Sequence, residues 1–347
     1  MADKSAIEWT DATWNPITGC SIVSPGCTNC YAMKLAGTRL KHIDSRKGLT
    51  RETKAGPVWT GEVRLNRQWL HQPLEWKKPR RIFVCAHGDL FAENVPDEWI
   101  LDVFTVMAAA DHHTYQVLTK RADRMREFLS RRDLLEDIYA NWYTFTGKPA
   151  EVYSWPLHNV WCGVSAEDQK RADERLPALL ATPAKLRFVS AEPLLGSLDI
   201  AKYLRPLCDR CPPWEVPCRI GCQHCTRLDW VIVGGESGPD ARPMHPAWAR
   251  STRDQCQAAR VPFFFKQWGA WADSTDADDL VHGSEDYIFA ADGTVLGAGG
   301  RARRLMQGSV EPDWRERGGA WMTFTNKKAA GRLLDGIEHN AMPEVTA

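Results

Sequence analysis

The middle of the chain alternates short apolar runs with longer stretches in which apolar residues recur every three or four positions. This pattern predicts β-strands followed by amphipathic helices, repeated as βαβ units with parallel strands. After the first apolar run, Pro96 with Asp97 and Glu98 predicts the start of a helix. The predicted strands are Arg81–Cys85, Thr114–Leu118, Asn159–Val164, Leu186–Val189, Trp230–Val233 and Pro262–Phe265. The sequence therefore predicts an α/β fold built on a complete or partial (βα) TIM-like barrel.

Polar side chains follow nearly every predicted strand, and the carboxyl ends of parallel barrel strands meet at one rim, where active sites are built. A single such residue could equally be a helix cap or a structural charge, but a shared pocket explains the whole set better. Glu192 and Lys266 have opposite charges, so an ion pair is the alternative for these two. We expect catalytic residues among Asp89, Lys120, Glu192, Glu236 and Lys266, with Ser165 and Glu167 on the same rim.

Three cysteines near the start of the chain, Cys20, Cys27 and Cys30, are spaced C-x6-C-x2-C on a loop that contains glycine and proline. Structural zinc takes four protein ligands, whereas a four-iron four-sulfur ([4Fe–4S]) cluster held by three cysteines keeps one iron open. The spacing therefore favours an iron–sulfur cluster. The alternatives are zinc completed by a distant ligand such as His42, and three packed structural cysteines.

A second cysteine group lies between the fourth and fifth predicted strands, in an insertion that we place at residues 205–228. Two C-x2-C pairs can complete a tetrahedral zinc site, and a loop without an apolar core would gain its folding energy from the metal. An auxiliary iron–sulfur cluster is the alternative. The predicted ligands are Cys208, Cys211, Cys222 and Cys225. Cys85, Cys162 and Cys256 stand alone and are predicted to be packed thiols.

Several short motifs resemble the phage Gp37/Gp68 family, a three-cysteine-motif group of phages and bacteria that is regarded as radical-SAM-like. The motifs are Trp14-Asn15-Pro16, Phe188–Leu194, Trp230–Gly238, Phe265–Gly269 and Leu334–Gly336. Tyr31, directly after Cys30, also resembles the aromatic residue that follows the cysteines of radical S-adenosylmethionine (SAM) enzymes. Their usual loop is C-x3-C-x2-C, so this chain has three more residues in the first gap.

The resemblance implies an enzyme in which Cys20, Cys27 and Cys30 hold a [4Fe–4S] cluster whose open iron binds SAM. Reduction by an electron donor would cleave SAM to methionine and a 5′-deoxyadenosyl radical, which abstracts hydrogen from a substrate. The residues that the resemblance places near SAM are Tyr31, Ser165 and Glu167.

Composition bears on the substrate and on the alternative function. Basic and acidic residues balance at 44 each, so there is no global attraction to nucleic acid. The basic clusters at 77–81, 120–126 and 301–304 are predicted to be solvated faces. Sixteen tryptophans could supply stacking surfaces for bases. Together with the local basic clusters and the resemblance to a phage family, they make a nucleic acid base or nucleotide, modified or repaired, the expected substrate. The alternative is a non-catalytic zinc-binding protein that binds nucleic acid or a protein partner.

A chain of 347 residues can form one large barrel with extensions. We assign residues 1–270 to the barrel with its insertion, and residues 271–347 to a C-terminal cap. No apolar stretch approaches the roughly 18 residues of a membrane span, and the start of the chain lacks the pattern of a signal peptide. The expected location is the cytoplasm, and the pattern gives no indication of oligomeric state.

Overall fold

The structure is a computed structural model that describes residues 5, 7–149, 154–205, 226–276, 286–298 and 312–344. The strands are β1 (Ala12–Trp14), β2 (Ile17–Thr18), β3 (Thr50–Thr53), β4 (Gly56–Trp59), β5 (Arg64–Leu65), β6 (Arg81–Val84), β7 (Thr114–Thr119), β8 (Val160–Ser165), β9 (Leu186–Ala191), β10 (Trp230–Gly234), β11 (Phe263–Gln267), β12 (Trp271–Asp273), β13 (Asp286–Ala290), β14 (Val295–Ala298), β15 (Gly319–Phe324), β16 (Leu333–Leu334) and β17 (Ile337–Glu338). The helices are α1 (Tyr31–Gly37), α2 (Arg67–Leu70), α3 (Gln72–Glu75), α4 (Asp97–Ala109), α5 (Ala122–Leu129), α6 (Leu134–Thr146), α7 (Gln169–Ala181), α8 (Ala201–Leu204), α9 (Pro246–Ala259) and α10 (Lys327–Ala330).

A seven-stranded parallel sheet contains all six predicted strands, in the order β1-β6-β7-β8-β9-β10-β11. Its first strand, β1, was not predicted, because three residues are too few to show a period; it pairs with β6 through Ala12 and Ile82. The described strands form an open sheet with β1 and β11 at its ends. The α/β prediction is therefore confirmed, in the partial form of a TIM-like arrangement.

Several strands run further than their apolar stretch. β8 ends at Ser165, β9 at Ala191 and β11 at Gln267. Ser165 and Lys266 therefore lie within the last residues of β8 and β11 rather than after these strands. Backbone hydrogen bonds between strands form whatever the polarity of the side chains, whereas the apolar run marks only the buried part of a strand. A strand can therefore extend beyond its apolar run. Helix α4 starts directly after Pro96, as predicted.

By contacts within the chain, the protein divides into two compact units. The first comprises Met1–Ser165 with Glu174–Phe188, and the second comprises Ala166–Asp173 with Val189–Ala347. The second cysteine group, Cys208, Cys211, Cys222 and Cys225, lies outside the described residues. The three solitary cysteines, Cys85, Cys162 and Cys256, are buried free thiols, as predicted.

The second unit also contains a four-stranded antiparallel sheet, ordered β12-β15-β13-β14. Asp292 and Gly293 form the turn between β13 and β14, and Gly293 has φ 90°, a conformation that favours glycine. Four residues of this sheet form an apolar cluster with Trp314: Ile288, Ala290, Leu296 and Trp321. Among the described residues, no helix is long and apolar enough to cross a membrane.

Candidate functional site: the cysteine loop and its arginine

The loop that carries the three cysteines begins where β2 meets the carboxyl end of β6. The Gly19 amide donates to the carbonyl of His87 at 3.3 Å, and Gly19 forms an isolated bridge with Gly88. Gly19 has φ 96°, and a Cβ there would lie 2.2 Å from the carbonyl oxygen of Glu62. Only glycine fits this position, so the backbone fixes where Cys20 starts.

The other two cysteines are placed by short turns of helix. Pro25–Cys27 is a single 3-10 turn, and Cys30 is the N-cap residue of α1. The backbone amides of Ala32 and Met33 hydrogen-bond to the Cys30 sulfur and oppose the effect of burial, which raises the pKa of that thiol. Two amides directed at one sulfur favour its thiolate form over the thiol.

All three cysteines are free thiols, and they lie within electrostatic range of one another. Burial raises the pKa of Cys20 to about 12; Asp89, Cys27 and Cys30 raise it as well, while Arg121 lowers it. Cys20 and Cys30 also pack against the same apolar cluster, made by Ala32, Met33, Ala36, Leu49 and Trp59. Within the part of the chain that the structure describes, no group of three or more His, Cys, Asp or Glu side chains is arranged to hold a metal ion.

Arg121 connects this loop to the end of β7 and was missed by the sequence analysis. Its Nη1 atom donates to the sulfur of Cys20 at 3.3 Å and to Asp89 Oδ2 at 3.2 Å. Its Nη2 atom donates to the carbonyl of Ser21 at 3.1 Å and to Glu93 Oε2 at 2.9 Å. Only 8% of the residue is exposed. The prediction that the basic cluster at 120–126 is a solvated face is thus wrong for Arg121. Its position two residues after the end of β7 was the available signal.

Asp89, one of the predicted catalytic residues, has both carboxylate oxygens engaged. Oδ1 accepts from Thr119 Oγ1 at 2.6 Å and from the Phe91 amide at 3.0 Å. Oδ2 accepts from the Lys120 amide at 3.1 Å and from Arg121. This buried carboxylate therefore fixes the end of β7 and the orientation of the Arg121 guanidinium.

Lys120 and Tyr31 lie at the same loop. The Lys120 charge lowers the pKa of Cys30, against the larger effect of burial. The Tyr31 hydroxyl donates to the carbonyl of Ala86 at 2.5 Å, and its ring meets His87 edge-on with centroids 6.1 Å apart. Tyr31 is nevertheless 52% exposed. His42, the alternative zinc ligand, is exposed.

The second unit holds the other predicted rim residues as charged pairs. Lys266 Nζ donates to Glu192 Oε1 at 2.6 Å, so the ion-pair alternative is what the structure shows for these two. The backbone amide, Nε and Nη2 of Arg242 donate to the buried Glu236 carboxylate at 2.9, 2.8 and 2.6 Å. The adjacent Gly235 is required by packing, since a Cβ there would lie 1.9 Å from the Trp268 carbonyl oxygen.

The two remaining residues that the resemblance implies near SAM are buried. Ser165, in the first unit, is 5% exposed, and its carbonyl accepts from Arg175 Nη1 at 2.7 Å. Glu167, in the second unit, is fully buried, and its carbonyl accepts from the Leu195 amide at 2.7 Å. Their backbones are thus fixed by the fold.

Comparison with curated proteins finds no match, and comparison with solved structures finds none either. The sequence model of one protein family, described as a protein of unknown function (DUF5131), matches residues 4–343. That match spans nearly the whole chain, including the cysteine loop, Arg121 and the charged pairs of the second unit. The chain belongs to the DUF5131 family.

Proposed function

We propose that this protein is an enzyme of radical-SAM type that holds a [4Fe–4S] cluster on Cys20, Cys27 and Cys30. The observation that carries the proposal is the arrangement of three free thiols on one loop, with the Cys20 sulfur held by the buried Arg121 guanidinium. The loop is anchored to the carboxyl end of β6, the edge at which parallel α/β sheets build their active sites.

The donor chemistry of the side chains present suits such a cluster. Thiolates are the ligands that iron–sulfur clusters take, and three of them leave one iron open. Burial disfavours the free thiolate of Cys20, so cluster binding would release protons from the loop. Arg121 and Lys120 place positive charge beside Cys20 and Cys30, which offsets part of the negative charge of a thiolate-ligated cluster. A bound cluster with SAM would supply one-electron chemistry that begins hydrogen abstraction.

The chain's own residues hold and shield this centre. Asp89 fixes Arg121, and Arg121 holds Cys20 and Ser21, so the ligand loop keeps its geometry while other groups bind. Hydrogen bonds from a charged donor to a ligand sulfur raise the reduction potential of an iron–sulfur cluster. Tyr31, Ser165 and Glu167 are the side chains that we propose near SAM.

Substrate contacts belong to the same proposal. The proposed catalytic groups are Asp89, Lys120, Glu192, Glu236 and Lys266, of which the last three sit in the charged pairs of the second unit. The proposed substrate is a nucleic acid base or a nucleotide, and its support is the resemblance to a phage family; the described tryptophans are buried or half-buried. An electron donor is required as a partner. The second cysteine group would hold structural zinc or an auxiliary cluster.

The test is anaerobic reconstitution of the full chain with iron and sulfide, followed by metal analysis, electron paramagnetic resonance after reduction, and detection of methionine and 5′-deoxyadenosine from SAM. We expect about four irons at the first loop, and SAM cleavage that depends on reductant. A Cys256→Ala variant, which removes a buried thiol in α9 of the second unit, should behave as the parent. Uptake of zinc alone at both cysteine groups would overturn the proposal in favour of the non-catalytic zinc-binding protein.

A further inference from the structure

A buried guanidinium without a carboxylate partner lies close to the cysteine loop. Arg46 is 5% exposed, and its Nη1 atom donates to the carbonyl and hydroxyl oxygens of the preceding residue, Ser45, at 3.2 and 2.8 Å. Its Nε atom is buried and makes no hydrogen bond, and Arg46 forms no ion pair with any described residue. Burial lowers the pKa of Arg46 to about 10, with a further contribution from Arg64. An unpaired charge in such a place is costly unless an anion joins it.

Arg64, in β5, is a second cation whose guanidinium contacts the turn of chain that carries Arg46. Its Nη1 and Nη2 atoms donate to the carbonyl oxygens of Asp44 and Lys47, the latter at 2.9 Å. Arg64 likewise forms no ion pair among the residues that the structure describes. The two guanidiniums repel each other closely enough for Arg64 to lower the pKa of Arg46. Two positive charges are therefore gathered here with neutral partners: the carbonyl and hydroxyl oxygens, and the Trp69 ring, whose centroid lies 6.0 Å from the Arg46 guanidinium.

His87 supplies a third group with an unused nitrogen. Its Nδ1 atom is buried and has no hydrogen-bond partner in the described part of the chain. Burial, and after it the charge of Arg46, lower the pKa of His87 to about 4, so the imidazole is neutral near pH 7 and lies within electrostatic range of Arg46. The backbone of His87 is fixed by its amide, which donates to Asn15 Oδ1 at 2.9 Å, and by its carbonyl, which accepts from Gly19.

These groups share one anchor. The Thr18 hydroxyl donates to the Ser45 carbonyl at 2.7 Å, which ties the Arg46 turn to β2. Gly19, which follows Thr18, donates its amide to the His87 carbonyl, and Cys20 follows Gly19. Arg46 and His87 are thus both attached to the two residues that lead into the proposed cluster loop.

We propose that Arg46, Arg64 and His87 form a binding site for the terminal phosphate monoester of a ligand. A phosphate monoester brings nearly two negative charges, which match two guanidiniums, whereas a carboxylate or a backbone phosphodiester brings one. Its several oxygens can accept from the guanidiniums of Arg46 and Arg64, because guanidiniums recognise phosphate in a bidentate manner. As a description of the substrate, a nucleotide with a terminal phosphate, this rests on the proposed function; phosphate binding itself needs no cluster.

The test uses the metal-free full chain, with calorimetric titration and thermal melting in inorganic phosphate and in adenosine 5′-monophosphate, at constant ionic strength set with chloride. A ligand that binds only the folded chain raises the melting temperature in a saturable way, and we expect this from both probes. Arg46→Gln should weaken phosphate binding at least tenfold. Arg51→Gln, which removes an exposed arginine of β3, should bind phosphate as the parent does.

Four further measurements make the test decisive. Acetate that binds as tightly as phosphate, or a dinucleotide phosphodiester that binds more tightly than the monophosphate, would overturn the monoester assignment. A parent chain that neither binds nor is stabilised by phosphate would overturn the site, whatever the variants do. If Arg46→Gln does not fold, the parent titration and Arg64→Gln decide. Cys27→Ala should keep phosphate binding even if it loses the metal, so the failure of one proposal does not imply the failure of the other.

Discussion

The guanidinium of Arg121 and the sulfur of Cys20 are 3.3 Å apart, although 101 positions separate the two residues in the chain. The same guanidinium is 3.2 Å from the buried carboxylate of Asp89. The buried guanidinium of Arg121 thus contacts Asp89, from the segment after β6, and Cys20, from the cysteine loop. Loss of Arg121 would leave the Asp89 carboxylate buried without its counter-ion.

Arg121→Gln is expected to destabilise the protein by about 3 kcal/mol, the order of magnitude for removing one partner of a buried ion pair. Urea unfolding of the metal-free chain measures this. Arg126→Gln, in which the lost partners Asp123 and Glu127 are exposed, should cost less than about 1 kcal/mol. Equal losses in the two variants would show that the Arg121–Asp89 pair is not structurally important.

Arg121→Lys tests the link to the cluster. Lysine keeps the positive charge but has no planar fork with which to contact Cys20, Asp89 and Glu93 together. We expect the reconstituted variant to retain its iron and to show a lower reduction potential, because a charge-assisted hydrogen bond to a ligand sulfur is lost. Potentiometric titration followed by electron paramagnetic resonance gives the value. An unchanged potential would contradict this role.

Cys27→Ala should prevent cluster assembly while the fold persists, because the loop is held by backbone contacts at Gly19 and by Arg121. Iron and sulfide content should fall to background, and the circular dichroism spectrum and unfolding midpoint should stay close to those of the parent. Cys256→Ala is the matched control for loss of a buried thiol. A full cluster in the Cys27 variant would show that the ligand assignment is wrong.

Lys266→Met removes the cation that pairs with Glu192. If this pair serves the reaction, turnover should fall by at least tenfold while iron content and SAM binding remain at parent levels. Lys328→Met, at an exposed position of α10, is the control. A parallel loss of folded protein and turnover would instead assign Lys266 a structural role.

Stability should fall between pH 6.5 and about 4 in part because of His113. This side chain is 1% exposed, its Nε2 contacts the Pro73 carbonyl oxygen at 3.1 Å, and burial lowers its pKa from 6.5 to about 4. In this window the unfolded chain binds a proton that the folded chain does not, so acid favours unfolding. Urea unfolding across pH 7.5 to 4 should show a smaller decline for His113→Gln than for the parent. His158→Gln, at an exposed position, should follow the parent.

Six strands of the main sheet were predictable because each has a continuous apolar run. β1 could not be predicted, since Ala12–Trp14 becomes a strand only through its pairing with β6. Arg121 was hidden for a different reason: neighbouring basic residues at 120–126 make the segment look solvated, and its partners come from distant parts of the chain. Nothing in the sequence singled out Arg46, because only the three-dimensional structure shows that its guanidinium has no carboxylate partner.

The contact between Arg121 and Cys20 also bears on when the cluster would be acquired. The Cys20 side chain already has its position in the metal-free chain, so the conformational entropy of fixing it is lost during folding. Under the proposed function, maturation would follow an order: the chain folds first, and iron and sulfide then bind to a loop that is already folded. Cells short of iron could then hold a reserve of folded, inactive protein that becomes active without new synthesis.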